Sequence, residues 1–361
     1  MILVVDTDLK EVKFWAFKED KPEEQPVYFS LGMEKVMTGG NLKKEISAFT
    51  EGGRIKAISF RLLFGADYFR KPRLIGPDFF ARFGKMTDFF PFYVPPVLNM
   101  LKVFYKEFRN IPQAALFETS FFSALPDEEK YYAVPREFNK NNRIKKWGFH
   151  GIFHEADCGI NPAGRCISVV FDKQTTVCSV KNKKPLSISL GFTPLEGIMS
   201  RTSCGDLDPG IVFYLMNIHG LSIYRIDDIL KNESGFLGLT GYDIELKEMV
   251  KLCGKDRKVD LAFDIYQAQL LKYIGEGISV LGGLDSIIFA GSQLGALSSV
   301  IYRLVKEISF LGISTKSLPW ASKEGISCVS SGESRIKVYF NRMSLPKLIF
   351  CKTIDFLKKS K

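Results

Sequence analysis

The sequence predicts an α/β protein made of two similar domains, and three observations lead there. With 361 residues and 46% hydrophobic side chains, the chain can bury two substantial cores, whereas one domain of that length would be unusual. A strand-rich opening occurs twice, once at the N-terminus and once from position 165. Each opening is followed by helical periodicity and further strands, the alternation expected of packed α/β layers.

The elements follow in order. ILVVD, EVKFWAF (11–17) and PVYFSL (26–31) are β-branched and aromatic runs that predict a meander. RIKAISFRLLF (54–64) and QAALFET (113–119) are further strands. RCISVVF (165–171), TTVCSVKN (175–182) and KPLSISL (184–190) repeat the opening, followed later by the buried strand SIIFAG (286–291) and a C-terminal strand SRIKVYF (334–340). Between them Leu261, Ile265, Ala268, Leu271, Ile274, Ile278 and Leu281 recur at steps of three and four. One long amphipathic helix with that stripe as its core face is expected.

Seven cysteines, with no C-x-x-C pair, argue against a closed disulfide framework and for a reducing, cytoplasmic setting. The apolar start MILVVD is cut by Asp6 and Asp8 and is too short for a secretory or membrane-spanning segment, so a soluble protein without a membrane partner is expected. The net charge of +10 comes from scattered lysines, including the runs NKNNRIKKW (139–147) and KKSK, without a nucleic-acid-binding signature. It reads as solvated surface, and no nucleic-acid partner is expected. No cluster of metal-ligand spacing is present, and DLDPG lacks the acidic spacing of a calcium loop.

The stretch GFTPLEGIMSRTSCGDLDPGIVFYLM (191–216) carries the densest local signals. Thr193, Pro194 and Glu196 suit the N-cap, first turn and third position of a capping box, and Asp208 with Pro209 suits a second helix start. Two neighbouring helix N-termini would suit an anion, through free backbone N–H groups. Capped helix starts are also ordinary structure, and both readings stay open.

This stretch, together with GFHGIFH (148–154) and ESGFLGLTG (233–241) in the same order, resembles the acetate kinase family, with its G-F-H-G-T-S-H and E-S-G-L-L-G-L-S/T-G blocks. The resemblance implies two ribonuclease-H-like domains of the acetate kinase, sugar kinase, hsp70 and actin architecture around a central cleft. They would span residues 1–122, joined by a returning C-terminal helix 346–361, and residues 123–345, the latter domain forming a homodimer. It further implies transfer of a phosphoryl group between ATP with Mg²⁺ and a short carboxylate such as acetate or propionate, through an acyl phosphate.

Residue by residue, FRLLFGA (60–66) matches H-R-V-V-H-G-G, which puts Arg61 on the substrate carboxylate, a task suited to a planar fork of donors. His150 matches the histidine on the transferred phosphoryl group, and His154 a second family histidine. Leu63, Phe92, Phe149 and Pro194 match the apolar pocket for the acyl tail, which Phe92 would narrow. Glu118 stands where the family has its catalytic aspartate, one methylene longer. Glu245, Leu246, Lys247 and Gly291 match the nucleotide site. Each has a plainer reading too: a core histidine at a strand end for His150, a surface arginine for Arg61, an ordinary helix start for Glu245 to Lys247.

The phosphate loops depart from the pattern. DTDLKEVK (6–13) replaces N-x-G-S-S-S-L-K, so Asp6 replaces asparagine and Asp8 replaces glycine. VFDKQ (170–174) replaces H-L-G-N-G, and GSQLGA (291–296) replaces G-G-I-G-E-N. Ser203 takes an arginine's place, with Arg201 two residues earlier expected to point elsewhere, and Ser344, Leu345 and Pro346 replace an acidic pair that helps hold magnesium. Phosphoryl transfer rests on positioning and charge neutralisation by such groups. Two expectations follow: a phosphotransferase with absent or strongly reduced activity, in which Lys173, Arg201 or Lys10 would have to supply cationic charge, or a non-catalytic binding protein that keeps the acyl pocket and dimer surface.

Overall fold

Strand register decides which side chains can meet in this protein, and the same arrangement of strands is built twice. The computed structural model describes residues 1–7, 10–38, 41–65, 67–139, 144–161, 164–316 and 324–359. Asp8 and part of the lysine-rich run at 139–147 lie outside them. The chain divides into two compact units, Met1–Ser123 with Leu345–Lys361, and Ala124–Ser344.

In the first unit, β1 (Ile2–Thr7), β2 (Glu11–Phe17), β3 (Val27–Gly32), β4 (Ala57–Leu62), β5 (Arg73–Leu74) and β6 (Gln113–Phe117) form one sheet in the order β3-β2-β1-β4-β6-β5. The first three make the antiparallel meander, while β4 and β6 continue it in parallel with β1. Parallel neighbours need a crossover, and the helix Val94–Glu107 lies in the one between β4 and β6.

Strand alternation sorts side chains to two faces. Phe14 and Phe60 point to one face and pack on Phe104 of that helix, with ring centroids 6.2 and 5.1 Å away. On the other face lies the C-terminal helix Leu345–Lys359. Its Phe350 stacks on Phe17 at 4.7 Å, and the Thr353 and Ser59 hydroxyls are hydrogen-bonded at 2.6 Å. Both hydroxyls are fully buried.

The second unit contains β7 (Arg165–Phe171), β8 (Thr175–Lys181), β9 (Lys184–Ile188), β10 (Ser286–Ala290), β11 (Ile326–Cys328) and β12 (Lys337–Asn341), in the order β11-β12-β10-β7-β8-β9. Again a meander is extended by two parallel strands. Each unit is thus an α/β layer structure of the ribonuclease-H-like kind. The helix Arg257–Leu281 covers the face bearing Ile167, Val169 and Phe171. It comes closest at Gly277, where a Cβ would stand 2.4 Å from Ser179 Oγ. The helix Gly151–Cys158 takes the opposite face of β7.

Two expectations are corrected. The long helix exists, but its core face is Val259, Ala262, Tyr266, Leu270, Ile274, Gly277 and Leu281, while Leu261 is 56% exposed and Ala268 is exposed too. Tyr266 can be buried because its hydroxyl meets Thr175 Oγ1 at 2.6 Å, and a count of aliphatic residues overlooks both it and Gly277. Nor does a helix begin at Thr193: residues 191–209 run as turns, bends and loop before the helix Gly210–His219. Glu196 completes no capping box because its carboxylate binds the Tyr132 hydroxyl and Lys146 Nζ instead. One of the two expected helix N-termini is therefore absent. Among the described residues no helix is long and apolar enough to cross a membrane.

Thr353→Val should leave the Ser59 hydroxyl buried without its partner, a loss of about 1–3 kcal/mol. A lower urea midpoint for the full chain is the expected result, and an unchanged midpoint would show that this pair does not fasten the C-terminal helix.

Candidate active site

In the first unit β1, β4 and β6 run parallel, so their carboxyl ends converge, as ligand-binding edges of α/β sheets do. Asp6 is the register partner of Arg61, and Glu118 follows directly on β6. Arg61 Nε donates to Glu118 Oε1 at 2.5 Å, and Nη1 donates to Asp6 Oδ1 at 3.0 Å. The Glu118 side chain is fully buried, and those of Arg61 and Asp6 are only 13% and 20% exposed. Arg61 is therefore no surface arginine. Burial alone would lower its pKa, but the charges of Glu118 and then Asp6 outweigh that and hold the guanidinium protonated.

A further cation, not foreseen from the sequence, stands near Glu118. Lys352 precedes Thr353, whose hydroxyl reaches Ser59, two residues from Arg61 along β4. Burial pushes the Lys352 ammonium down to about 8 against the opposing pull of Glu118.

Of the predicted acyl pocket, Leu63 donates its N–H to the Tyr93 hydroxyl at 2.8 Å, beside Phe64 stacked on Phe90 at 3.9 Å. Phe92 is 88% exposed. The helix beginning at Val94 buries Tyr93 and Val94, which leaves Phe92 turned outward. In the second unit Phe149 is buried, while Pro194 is exposed and its carbonyl accepts from Gln174 Nε2 at 2.5 Å.

The second unit also holds a cavity of about 320 Å³, lined among others by Asp172, Lys173, Arg201, Glu245, Leu246 and Gln293. Glu245 and Leu246 thus meet at one site, at the start of the short helix Leu246–Met249, while Lys247 is exposed and not part of the lining. Gly291 adjoins it at φ +107°, and a Cβ there would stand 2.1 Å from the Phe171 carbonyl oxygen, so only glycine fits. The expectation for Arg201 is corrected, since it lines the cavity and donates to Asp243. Ser203, which replaces the family's arginine, is buried against Ser200 at 2.8 Å. Lys10 is exposed, in the first unit.

The two altered loops are tied together. Ser292 donates to Asp172 Oδ1 at 2.5 Å, Gln293 Nε2 to the Asp172 carbonyl at 3.3 Å, and the Gln293 backbone N–H to the Phe171 carbonyl at 3.0 Å. Side-chain and backbone pairs thus link the segment after β7 to the segment after β10, where Gly291 and Gly295 remain. Asp172 also faces His150, whose Nε2 lies 3.9 Å from Asp172 Oδ2. His150 stands not at a strand end but at the head of the helix Gly151–Cys158, at φ +60°, with Nδ1 3.0 Å from Thr176 Oγ1.

Comparison with known proteins agrees with this architecture. The model of the acetokinase family matches residues 34–344. The acetate kinase of Bacteroides thetaiotaomicron is 30% identical over 333 residues, 88% of this chain and 82% of that protein. The chain belongs to the acetokinase family. Among solved structures, Porphyromonas gingivalis acetate kinase superposes with a TM-score of 0.88 at 23% identity, covering 99% of each chain. A propionate kinase from Francisella tularensis gives 0.84 at 22% identity, covering 97% of this chain and 98% of that one.

For an acetokinase, a protein-held magnesium site fits poorly. Among the described residues no three His, Cys, Asp or Glu side chains are grouped to hold a metal ion, and Asp6 and Glu118 already serve Arg61. Magnesium commonly needs only one or two carboxylates when nucleotide phosphates complete its shell, and among the described residues only the Asp172 and Glu245 carboxylates line the cavity.

Because Glu118 is buried with Arg61 as its partner, Arg61→Met should destabilise this family member by about 3–5 kcal/mol. Urea denaturation tests this, and a loss below about 1 kcal/mol would mean that Lys352 alone neutralises Glu118.

Proposed function

We propose that this acetokinase-family chain binds a nucleoside triphosphate in the second unit and transfers its terminal phosphoryl group to a short carboxylate, acetate or propionate, only slowly. In that reaction a carboxylate oxygen attacks the terminal phosphorus, the bond from that phosphorus to the bridging oxygen breaks, and the nucleoside diphosphate leaves. Arg61 would orient the carboxylate, His150 would face the transferred group, and Lys173 with Arg201 would supply cationic charge to the phosphates.

The observation that carries the reduced rate is the pairing of Arg61 with both Glu118 and Asp6. A substrate carboxylate must compete with two resident ones for the same guanidinium, and the three charges sum to minus one before Lys352 is counted. Asp172, linked to Ser292 on the facing loop, adds a negative charge beside His150 where phosphate oxygens would gather. Losing a single preorganised donor typically costs about a hundredfold to a thousandfold in turnover.

Trapping the acyl phosphate as a hydroxamate tests this, with acetate, propionate and butyrate as acceptors and ATP, GTP or pyrophosphate as donors. Arg61→Ala is a poor control, since it strands Glu118. Asp6→Asn is the informative variant, because it restores the family's residue and removes one of the two charges that compete for Arg61. We expect Asp6→Asn to raise kcat/KM for the carboxylate about tenfold to a hundredfold, the worth of one hydrogen bond to a charged group. Natural turnover above about 1 s⁻¹, within the ordinary range of enzymes, would overturn the suppression. No turnover in either protein, with nucleotide still bound, would favour the non-catalytic reading.

A second copy of the chain is the proposed partner. None of the ten residues of the helix Gly210–His219 is buried, and Phe213, Tyr214 and Ile218 are 62%, 56% and 65% exposed, with Tyr224 beyond at 85%. A contiguous apolar surface of this kind marks an interaction site. Light scattering should report a dimer, and Phe213→Glu with Tyr224→Glu a folded monomer. A monomeric natural chain would exclude this interface.

A further inference from the structure

Between the helix Gly151–Cys158 and the strands β7, β8 and β12 lies a chain of polar side chains with no exposed link. Asn341 Nδ2 donates to Asp157 Oδ1 at 2.8 Å, and Ser168 Oγ lies 2.6 Å from Asp157 Oδ2. Ser168 Oγ is 2.7 Å from His154 Nδ1, His154 Nε2 is 2.9 Å from Thr176 Oγ1, and Thr176 Oγ1 is 3.0 Å from His150 Nδ1. Asp157, Ser168, His154 and Thr176 are all 0% exposed, and His150 is 8% exposed.

Each hydroxyl has one proton to donate, and a neutral imidazole has one donor and one acceptor nitrogen, so fixing one end fixes every link. When Asp157 is ionised, it can only accept. Ser168 then donates to Asp157 and accepts from His154 Nδ1–H, Thr176 donates to His154 Nε2, and His150 must donate through Nδ1–H, which leaves its Nε2 bare. When Asp157 is protonated, it donates to Ser168, every bond reverses, and His150 carries its proton on Nε2.

We propose that Asp157 is a positioning residue which, through Ser168, His154 and Thr176, sets the tautomer of His150 and thereby whether Nε2 offers a phosphate oxygen a donor or a lone pair. The balance is one proton: it enters at His150 Nε2 and, after a shift of one proton along each bond, is stored on Asp157. No imidazolium need persist.

The energetics agree with this. Burial raises the Asp157 carboxyl to about 7 despite the bonds from Asn341 and Ser168, and burial, with His150 adding to it, holds His154 well below its usual value, so its ring stays neutral. Other titratable neighbours come from each surrounding element. Cys158 on the helix, Cys166 on β7 and Cys178 on β8 are pushed up by burial and remain thiols, Glu129 acts on Cys178, and Lys183 acts on Cys158. Asp172 Oδ2 lies 3.9 Å from His150 Nε2, too far for a hydrogen bond, and its charge favours a proton there. As pH rises through about 7, the Nε2 donor is therefore lost.

The significance for phosphate rests on the function proposed for His150, but the tautomer does not, and the two can fail separately. The chain has three histidines, so long-range ¹⁵N–¹H correlation spectra of the full protein can assign every ring, with His219→Gln removing the third. Between pH 6 and 8.5 we expect His150 and His154 to exchange tautomers together, with a midpoint near 7. In Asp157→Asn, whose amide mimics the protonated acid, both should remain Nε2–H throughout. In Thr176→Val, His150 should no longer follow His154, which keeps the inference testable if Asp157→Asn fails to fold. An imidazolium at His150, or tautomers unmoved by either variant, would overturn it. Independently, ATP affinity should fall about tenfold across this range relative to Asp157→Asn, which corrects for titration of the nucleotide itself. Switching tautomers without that change would refute the phosphate-facing role of His150 alone.

Discussion

A guanidinium inside a protein needs carboxylates around it, and the first unit is arranged about that need. Arg61 is held where three parallel strands end, with Asp6 across from it on β1 and Glu118 just past β6. Neither carboxylate could be buried to this extent without the arginine, and the arginine could not stay there without them. The same constraint extends to the C-terminal helix: the Thr353 and Ser59 contact that brings this helix to β4 also brings Lys352 to Glu118. Structural support and candidate chemistry therefore use the same atoms. Freeing Arg61 for a ligand also loosens a buried charge.

Between the helix Gly151–Cys158 and its sheet, the second unit solves a comparable problem with hydrogen bonds. Its buried polar groups between the helix Gly151–Cys158 and the sheet are joined in series, from Asn341 to His150, and each donor finds an acceptor. Such a series takes up one added proton by reversing every bond between Asp157 and His150, so a change at Asp157 is felt at His150. The relation between buried polarity and the surface is consequently stiffer here than in a pocket open to water.

Most strands were legible because β-branched and aromatic runs marked them, and both meanders follow from their order, but the short edge strands β5 and β11 carried no such run. The rotation of the long helix was not legible, since Tyr266 and Gly277 face the core for reasons of hydroxyl pairing and close approach rather than apolar periodicity. Glu196 looked like the end of a capping box, but only tertiary contacts with Tyr132 and Lys146 decide where its carboxylate goes. The family resemblance named Arg61, Glu118, His150, Glu245 and Leu246 as candidates. It did not locate the pairing of Asp6 with Arg61, which depends on the register between β1 and β4. Lys352 is one lysine among many in a C-terminal helix, and Ser168 and Thr176 read as ordinary strand residues. Burial gives all three their importance, and burial is a property of the folded chain.

The repeated topology shows how differently two copies of one plan can be used. β7, β10 and β12 correspond in order and direction to β1, β4 and β6. Where the first unit ends these strands in Asp6, Arg61 and Glu118, the second ends them in Phe171, Gly291 and Asn341. Gly291 lets the backbone after β10 approach the Phe171 carbonyl, and that approach brings Ser292 and Gln293 onto Asp172. A loop that exposed free N–H groups to an anion would need glycines left unpaired, whereas these contacts give order to the loops at the expense of such a cradle. The cations that line the cavity are side chains, Lys173 and Arg201. Long cationic side chains can hold phosphate, but they are less preorganised than backbone amides. Under the proposed function, the ordered loops and the paired arginine would slow transfer by separate physical routes.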